Sequence, residues 1–401
     1  MKPATAVRAG LVAGLLALGL APALAQTAPA ASPEAAAMLA RMQAIPMARA
    51  VEAAEAYTPA ETVAGGKSKA LRTASARSAR IAPDALAAAQ AYADAQDSFA
   101  LIVARNGKVI HEHYAPGFTP ASRYATASMH KAVLALAYGP ALASGKIALA
   151  DPLKKHLPEF AGDPKGDVTI EQLLRMTAGL GAPPAKPGDL SAPSTQLMFA
   201  PDIRAATRGF TLVHTPGTTF AYANISTQLA GLALEAATGV RYSTWLSQHL
   251  WAPIGAADAA LWLDRPGGNP HYFCCLQASA RDWLRVGELI RNNGKAGGKQ
   301  AIPAAWVASV IAPSPLNPNF GMNIWRGSPH APVRRYGPAV AMTVPAAKPF
   351  LRDDVVYIDG AGGQRVYVVP SAGLTIVRIG KPAIGWDESE LVNRVLAGLK
   401  S

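Results

Sequence analysis

The sequence predicts an α/β fold: a mainly antiparallel sheet formed from both termini and flanked by helices, with an all-helical domain inserted between its halves. Three observations carry that expectation. A hairpin pattern stands early in the chain, strand patterns crowd its end, and the long stretch between them reads as helices and loops.

The first residues stand apart from the fold. Lys2 and Arg8 precede an apolar run from Ala9 to Leu20, and Ala23-Leu24-Ala25 supplies a small-x-small site before Gln26. Residues 1–25 therefore read as a cleaved secretory signal peptide, which places the mature protein in the periplasm or outside the cell. The apolar run falls short of the ~20 residues that span a bilayer. From Gln26 to about Arg80 the composition turns to Ala, Pro, Ser and Gly, with one helical patch around Pro33 to Ala56, so 26–80 is expected to be a linker. Lys67, Lys69, Arg72, Arg77 and Arg80 fall in one acid-free part of it and contribute to a net charge of +12. With no interleaved aromatics, they point to a solvated tether weakly attracted to anionic envelope surfaces, and not to nucleic acid.

The sheet is expected from 81–135 and 336–401. Ser98 to Ala104 is a strand pattern, Asn106-Gly107 is a hairpin turn, and Lys108 to Tyr114 returns as its partner. Near the other end, Val355 to Ile358, Gln364 to Val369 and Leu374 to Ile379 read as short strands, and Glu388 to Leu399 as a closing helix. Between them, 136–335 reads as mainly helical: Ile170 to Met176, Ser226 to Thr238, Ser243 to Leu250, Ala280 to Asn292 and Ala304 to Ile311. With 50% hydrophobic residues, the chain can build a sizeable core. The only cysteines are the neighbours Cys274 and Cys275. A bond between neighbours demands a strained ring, so two small, partly buried thiols are expected, with no metal role.

The chemistry is expected at Ser128-Met129-His130-Lys131. Positions i and i+3 share a helix face, so the Lys131 amine can reach the Ser128 oxygen and take its proton, which would make Ser128 a nucleophile. Lys131 to Leu142 is apolar enough for a buried helix, although Pro140 should kink or end it. Ser128 would lie near the helix start, where free N–H groups and the dipole favour an oxyanion. The His130 ring should point away from that face and serve packing.

Several phrases in order make the chain resemble the serine β-lactamase and penicillin-binding-protein superfamily, especially its class C-like esterases and 6-aminohexanoate-dimer hydrolases. They are Ser128-Met129-His130-Lys131, Gly145 to Phe160, Val168 to Leu180, Thr215 to Gly239, Ala278 to Lys295 and Gly360 to Gly380. The resemblance implies a β-lactamase/transpeptidase-like fold, acyl-enzyme chemistry on a small-molecule ester or amide substrate, and no metal or cofactor. It makes Tyr222-Ala223-Asn224 a Tyr-x-Asn motif, with Tyr222 facing the nucleophile and Asn224 holding the Lys131 amine or a substrate carbonyl. A Lys131 ammonium would lower the Tyr222 pKa and let the phenolate share the base role. At the third motif the family's β-lactam enzymes carry Lys-Thr-Gly, where this chain has Ala361-Gly362-Gly363-Gln364. The cation that would hold a β-lactam or peptide carboxylate is missing, which favours ester or amide hydrolysis over the alternatives, β-lactamase, D,D-peptidase or a non-catalytic envelope-binding protein. Gly362 and Gly363 would let substrate lie against the strand, and the Gln364 N–H would join that of Ser128 in an oxyanion hole.

Other chemistry is poorly supported. His111 and His113 share a strand face without a third ligand, Gly65-Gly66-Lys67-Ser68 lacks the earlier glycine of a phosphate loop, and no Gly-x-Ser-x-Gly occurs. The signal-peptide reading has a direct check: intact mass of the secreted protein should place its first residue at Gln26, and a chain still carrying residues 1–25 would reject it.

Overall fold

The protein is described here by a computed structural model covering residues 32–67, 70–338, 340–383 and 385–400. The signal peptide expected over 1–25 lies outside these residues.

The chain begins with α1 (Pro33–Ala44), capped by the Ser32 hydroxyl, and β1 (Ala60–Val63). Helix α2 (Pro83–Ala95) leads into β2 (Ser98–Arg105) and β3 (Lys108–Tyr114), joined by the Asn106-Gly107 turn with both residues at positive φ. Strand β4 (Arg123–Ala125) precedes α3 (His130–Ala143). The middle of the chain supplies α4 (Ile170–Leu174), α5 (Asn224–Thr238), α6 (Tyr242–Leu246), β5 (Ala259–Trp262), β6 (Gln277–Ser279), α7 (Ala280–Arg291) and α8 (Ala304–Ile311). The last part holds β7 (Trp325–Arg326), β8 (Val333–Arg335), β9 (Thr343–Pro345), β10 (Val356–Gly360), β11 (Gln364–Val369), β12 (Leu374–Gly380) and α9 (Glu390–Ala397).

The main sheet runs β7-β10-β11-β12-β2-β3, every pair antiparallel, so β12 from the end of the chain lies beside β2 from its start. Alternation along β2 decides the layers. Leu101 and Val103 join Leu391, Val392 and Val395 of α9 on one face, while Ile102 and Ala104 join Val286, Leu289 and Ile290 of α7 on the other. Burial on both faces explains why these strands read as continuous apolar runs. Among the described residues no helix is long and apolar enough to cross a membrane.

Several expectations need correction. Residues 32–67 are not a linker: β1 pairs with β5 in a second sheet ordered β1-β5-β6-β4, and Val51, Tyr57 and Val63 are buried in the core. Nor is the basic stretch a free tether, since the Val109 N–H bonds the Arg72 carbonyl and the Ala74 N–H returns to the Val109 carbonyl, which docks the segment along β3. The insertion between the sheet halves is not all helical, because β5 and β6 lie within it, and α7 packs directly on β11 and β12. Cys274 and Cys275 form a disulfide. Pro140 sits inside α3, which ends within a turn of it. Proline cannot donate to the Leu136 carbonyl, and the indole N–H groups of Trp306 and Trp245 bond the adjacent carbonyls of Ala135 and Ala137 instead.

Helix α5 is held close to the Tyr272 ring by Gly231, where an added Cβ would lie 2.0 Å from the ring's Cγ. Gly231→Ala is therefore expected to lose about 1–3 kcal/mol of stability to overpacking, outweighing the ~1 kcal/mol helix-propensity gain. Urea unfolding checks this, and an unchanged or raised midpoint would reject the packing argument.

Candidate active site

The nucleophile turn is fixed before the helix begins. After β4 the chain passes through Ala127 at φ +50°, a conformation that costs a non-glycine residue about 1–2 kcal/mol, and then through a 3₁₀ turn, Ala127–Met129. The Cys275 N–H bonds the Ala127 carbonyl at 2.9 Å and holds the strained residue in place. In a 3₁₀ turn, side chains three apart eclipse, so Ser128 and Lys131 come into line where the turn enters α3.

Lys131 is almost wholly buried, because α3 is enclosed on all sides and places the amine inside the protein. Its Nζ lies 3.2 Å from Ser128 Oγ, 2.8 Å from Asn224 Oδ1 and 2.6 Å from the Phe273 carbonyl oxygen. Burial pushes the amine well below the ordinary lysine range, and the negative charge of Asp359 only partly offsets this. Once the amine is neutral, as burial favours, it has two N–H donors and one lone pair. Asn224 and Phe273 take the donors, which leaves the lone pair to the Ser128 hydroxyl.

Tyr222 approaches from the opposite side, with its backbone N–H on the Tyr336 carbonyl at 2.7 Å. Its ring lies 5.2 Å from Lys131 Nζ and packs against Trp325 and Tyr336 at 5.9 and 5.2 Å. Burial raises the phenol well above its ordinary value, Asp359 raises it further, and a hydrogen bond with Ser128 pulls it partly back. The expected lowering by a Lys131 ammonium is overturned, because burial and the Asp359 charge dominate the phenol.

The third motif needs re-reading. Strand β10, not the Gly362-Gly363-Gln364 turn, edges the site: β7 pairs only with its Val356 and Tyr357, and a Cβ on Gly360 would lie 2.4 Å from the Thr126 carbonyl oxygen. Gly362 and Gly363, at φ +79° and +83°, instead approach Pro382 and Trp386. The Gln364 amide is fully buried and clamps Gly380, donating to its carbonyl at 2.8 Å and accepting its N–H at 3.0 Å.

Sequence reasoning missed the charges beneath this edge. Asp359 accepts from Arg334 at 3.1 and 3.2 Å and from the Tyr336 hydroxyl at 2.8 Å, and it pairs with Arg365 at 2.5 Å. Glu388 completes a buried quartet by binding both arginines. Burial opposes the Asp359 charge, but Arg334 and Arg365 outweigh it and keep its carboxyl below the usual range. A lone acid inside an apolar strand was the available signal. Nothing in the sequence marks the Phe273 carbonyl. His130 is buried against Tyr242 Oη at 3.0 Å, and burial pushes it down to about 4, so it stays neutral. His111 bonds Gln90 at 2.7 Å.

A two-terminus antiparallel sheet with Ser128, Lys131 and Tyr222 gathered at the head of one enclosed helix defines a β-lactamase/transpeptidase-like hydrolase fold. The chain belongs to the beta-lactamase family, whose model matches residues 84–379. It is 29% identical over 227 residues to a 6-aminohexanoate-dimer hydrolase of Paenarthrobacter ureafaciens, a match covering 53% of this chain and 57% of that protein. A Bacillus anthracis structure assigned as a 6-aminohexanoate-dimer hydrolase superposes with a TM-score of 0.70 at 20% identity, over 89% of this chain and 93% of that one. A D-alanine carboxypeptidase from Burkholderia cenocepacia gives 0.56 at 19% identity, over 80% and 99%. The chain thus spans little more than half of the curated relative, and the structural likenesses speak for the fold.

The neutral amine has a consequence for stability. Where a lysine pKa is lower folded than unfolded, the unfolded chain binds an extra proton between the two values, so stability rises with pH across that window. Relative to Lys131→Met, the wild type should gain stability as pH rises toward the ordinary lysine value of about 10.4, by at most ~1.4 kcal/mol per pH unit. A pH-independent difference in denaturant unfolding would show that Lys131 is charged in the fold.

Proposed function

We propose that this protein is an exported serine hydrolase that cleaves an ester or amide bond of a small-molecule substrate through an acyl-enzyme on Ser128. The observation that carries the proposal is the set of three partners around the Lys131 nitrogen, which leaves its lone pair for the Ser128 proton. Ser128 Oγ attacks the carbonyl carbon as Lys131 takes the proton, and the tetrahedral oxyanion is held by backbone N–H groups at the Ser128 turn. The approach of Gly360 to Thr126 favours the following N–H, that of Ala361, as the second donor in place of Gln364. Tyr222, kept protonated by burial, donates to the leaving oxygen or nitrogen as it departs and is reprotonated from Lys131. Water then attacks the acyl carbon with Lys131 again as base, the bond to Ser128 Oγ breaks, and the proton passes from Lys131 back to that oxygen, so no step calls on a metal or cofactor.

Ester or amide substrates are favoured over β-lactams by the charges on the site-edging strand. Its ionised side chain, Asp359, is an acid committed to two arginines, so the strand offers no free cation to a substrate carboxylate. Each missing charge-assisted hydrogen bond is worth about 1.5–3 kcal/mol. Curated similarity to a 6-aminohexanoate-dimer hydrolase supports the amide side of this reading.

The test offers residues 26–401 a p-nitrophenyl ester, a linear amide dimer and a chromogenic cephalosporin. Ester or amide turnover is expected, with an acyl adduct on Ser128 by intact mass, a loss of about 10³-fold or more in Ser128→Ala, and of about 10²–10⁴-fold in Tyr222→Phe. Turnover surviving Ser128→Ala would sink the nucleophile assignment. Cephalosporin hydrolysis faster than that of the ester and the amide would move the function to β-lactamase.

A further inference from the structure

Beyond the aromatic wall that supports Tyr222 lies a cavity of about 670 Å³, within the roughly 300–1,000 Å³ of small-molecule sites. None of Ser128, Lys131, Tyr222 and Asn224 lines it, while Trp325 is shared between its wall and the packing around Tyr222, and Phe220 of the wall packs on Trp325.

Its charge is unbalanced. Arg326, Arg334 and Arg335 line it, and the one acid among the described lining residues is Glu388, already bound to Arg334 and Arg365. The Arg334 guanidinium stacks 4.3 Å from the Trp325 ring and 4.6 Å from the Tyr336 ring, and its Nε is buried with no hydrogen-bond partner among the described residues. Arg326 donates to the carbonyls of Ile311 and Pro318, which neutralise no charge. Arg334 is committed to Asp359 and Glu388, so the charge left for a ligand is that of Arg326 and Arg335, whose planar guanidiniums favour a carboxylate.

The surroundings are apolar to an unusual degree. Of the six large hydrophobic side chains exposed in the described chain, Leu316 and Val333 line the cavity at 42% and 40% exposure. Exposed apolar residues scattered singly need no explanation, but Leu316 and Val333 on one cavity wall give a ligand an apolar surface to cover.

Together these features point to one chemistry. We propose that the cavity is a second binding site, for an amphiphilic carboxylate: a carboxylate received by Arg326 and Arg335 and an acyl or aryl body lying against the apolar rim. It is independent of the acyl-enzyme reading, since neither the charge nor the rim involves Ser128.

Titration calorimetry with decanoate, decanol and decyltrimethylammonium, below their aggregation concentrations, tests the proposal, with Trp325 as a fluorescent reporter in the cavity wall. Decanoate should bind at one site per chain, at least about tenfold more tightly than either other amphiphile. Ala331→Trp, which fills the cavity from a partly exposed position, and Arg335→Glu, on its exposed side, should each weaken decanoate about tenfold or more, while Ser128→Ala should leave it unchanged. Equal affinity for the cation or the alcohol would overturn the carboxylate assignment. Decanoate affinity indifferent to both cavity substitutions, or lost in Ser128→Ala, would overturn the site.

Discussion

The active site depends on one constraint: the Lys131 amine is buried inside a helix enclosed on every side. An ammonium there would lose its hydration for two neutral oxygens and a hydroxyl, which is too little compensation, so burial favours the neutral amine. That single consequence orders the rest. A neutral amine lets the Ser128 hydroxyl donate to it and leaves no cation to ionise Tyr222, which in the proposed mechanism divides acid from base between the two residues. Asn224 and the Phe273 carbonyl are the other half of the arrangement, since they spend the amine's two N–H groups and orient its lone pair.

Much of the fold was legible because local and global preferences agree. The Asn106-Gly107 hairpin, the strands from Gln364 and Leu374, and α8 from Ala304 to Ile311 follow from turn chemistry and apolar runs that no tertiary contact contradicts. The residues before Ile81 were misread for the opposite reason. Their alanine-rich composition carries little periodic signal, and what orders β1 is pairing with β5, some two hundred residues later, through registers such as Glu61 with Leu261. No window of sequence contains that partner.

The site divides in the same way. Ser128, Lys131, Tyr222 and Asn224 were found because two of them sit within one helical turn and the others within one short motif, and the structure brings all four together. The role given to Gln364 rested on a turn whose direction depends on its neighbours. Gly362 and Gly363 face Pro382 and Trp386, and the Gln364 amide satisfies Gly380, so the contact with the nucleophile turn passes to Gly360 on the preceding strand. The thiol expectation for Cys274 and Cys275 failed similarly: ring strain weighed against the bond, but the same loop is pinned by the Cys275 N–H to Ala127 and by the Phe273 carbonyl to Lys131.

The edge strand shows how this chain departs from the β-lactam enzymes it resembles. Where a lysine would face a substrate carboxylate, an aspartate turns inward to two arginines, and Arg334 spreads its charge over Trp325 and Tyr336, the rings that seat Tyr222. A buried quartet of two acids and two bases is close to neutral in sum, and removing one member would strand a charge at a cost of about 3–5 kcal/mol. Such a cluster cannot lend a cation to the substrate without unbalancing itself. The positive charge of this quartet is therefore structural, and under the proposed function discrimination among substrates falls to shape and to the backbone N–H groups around Ser128.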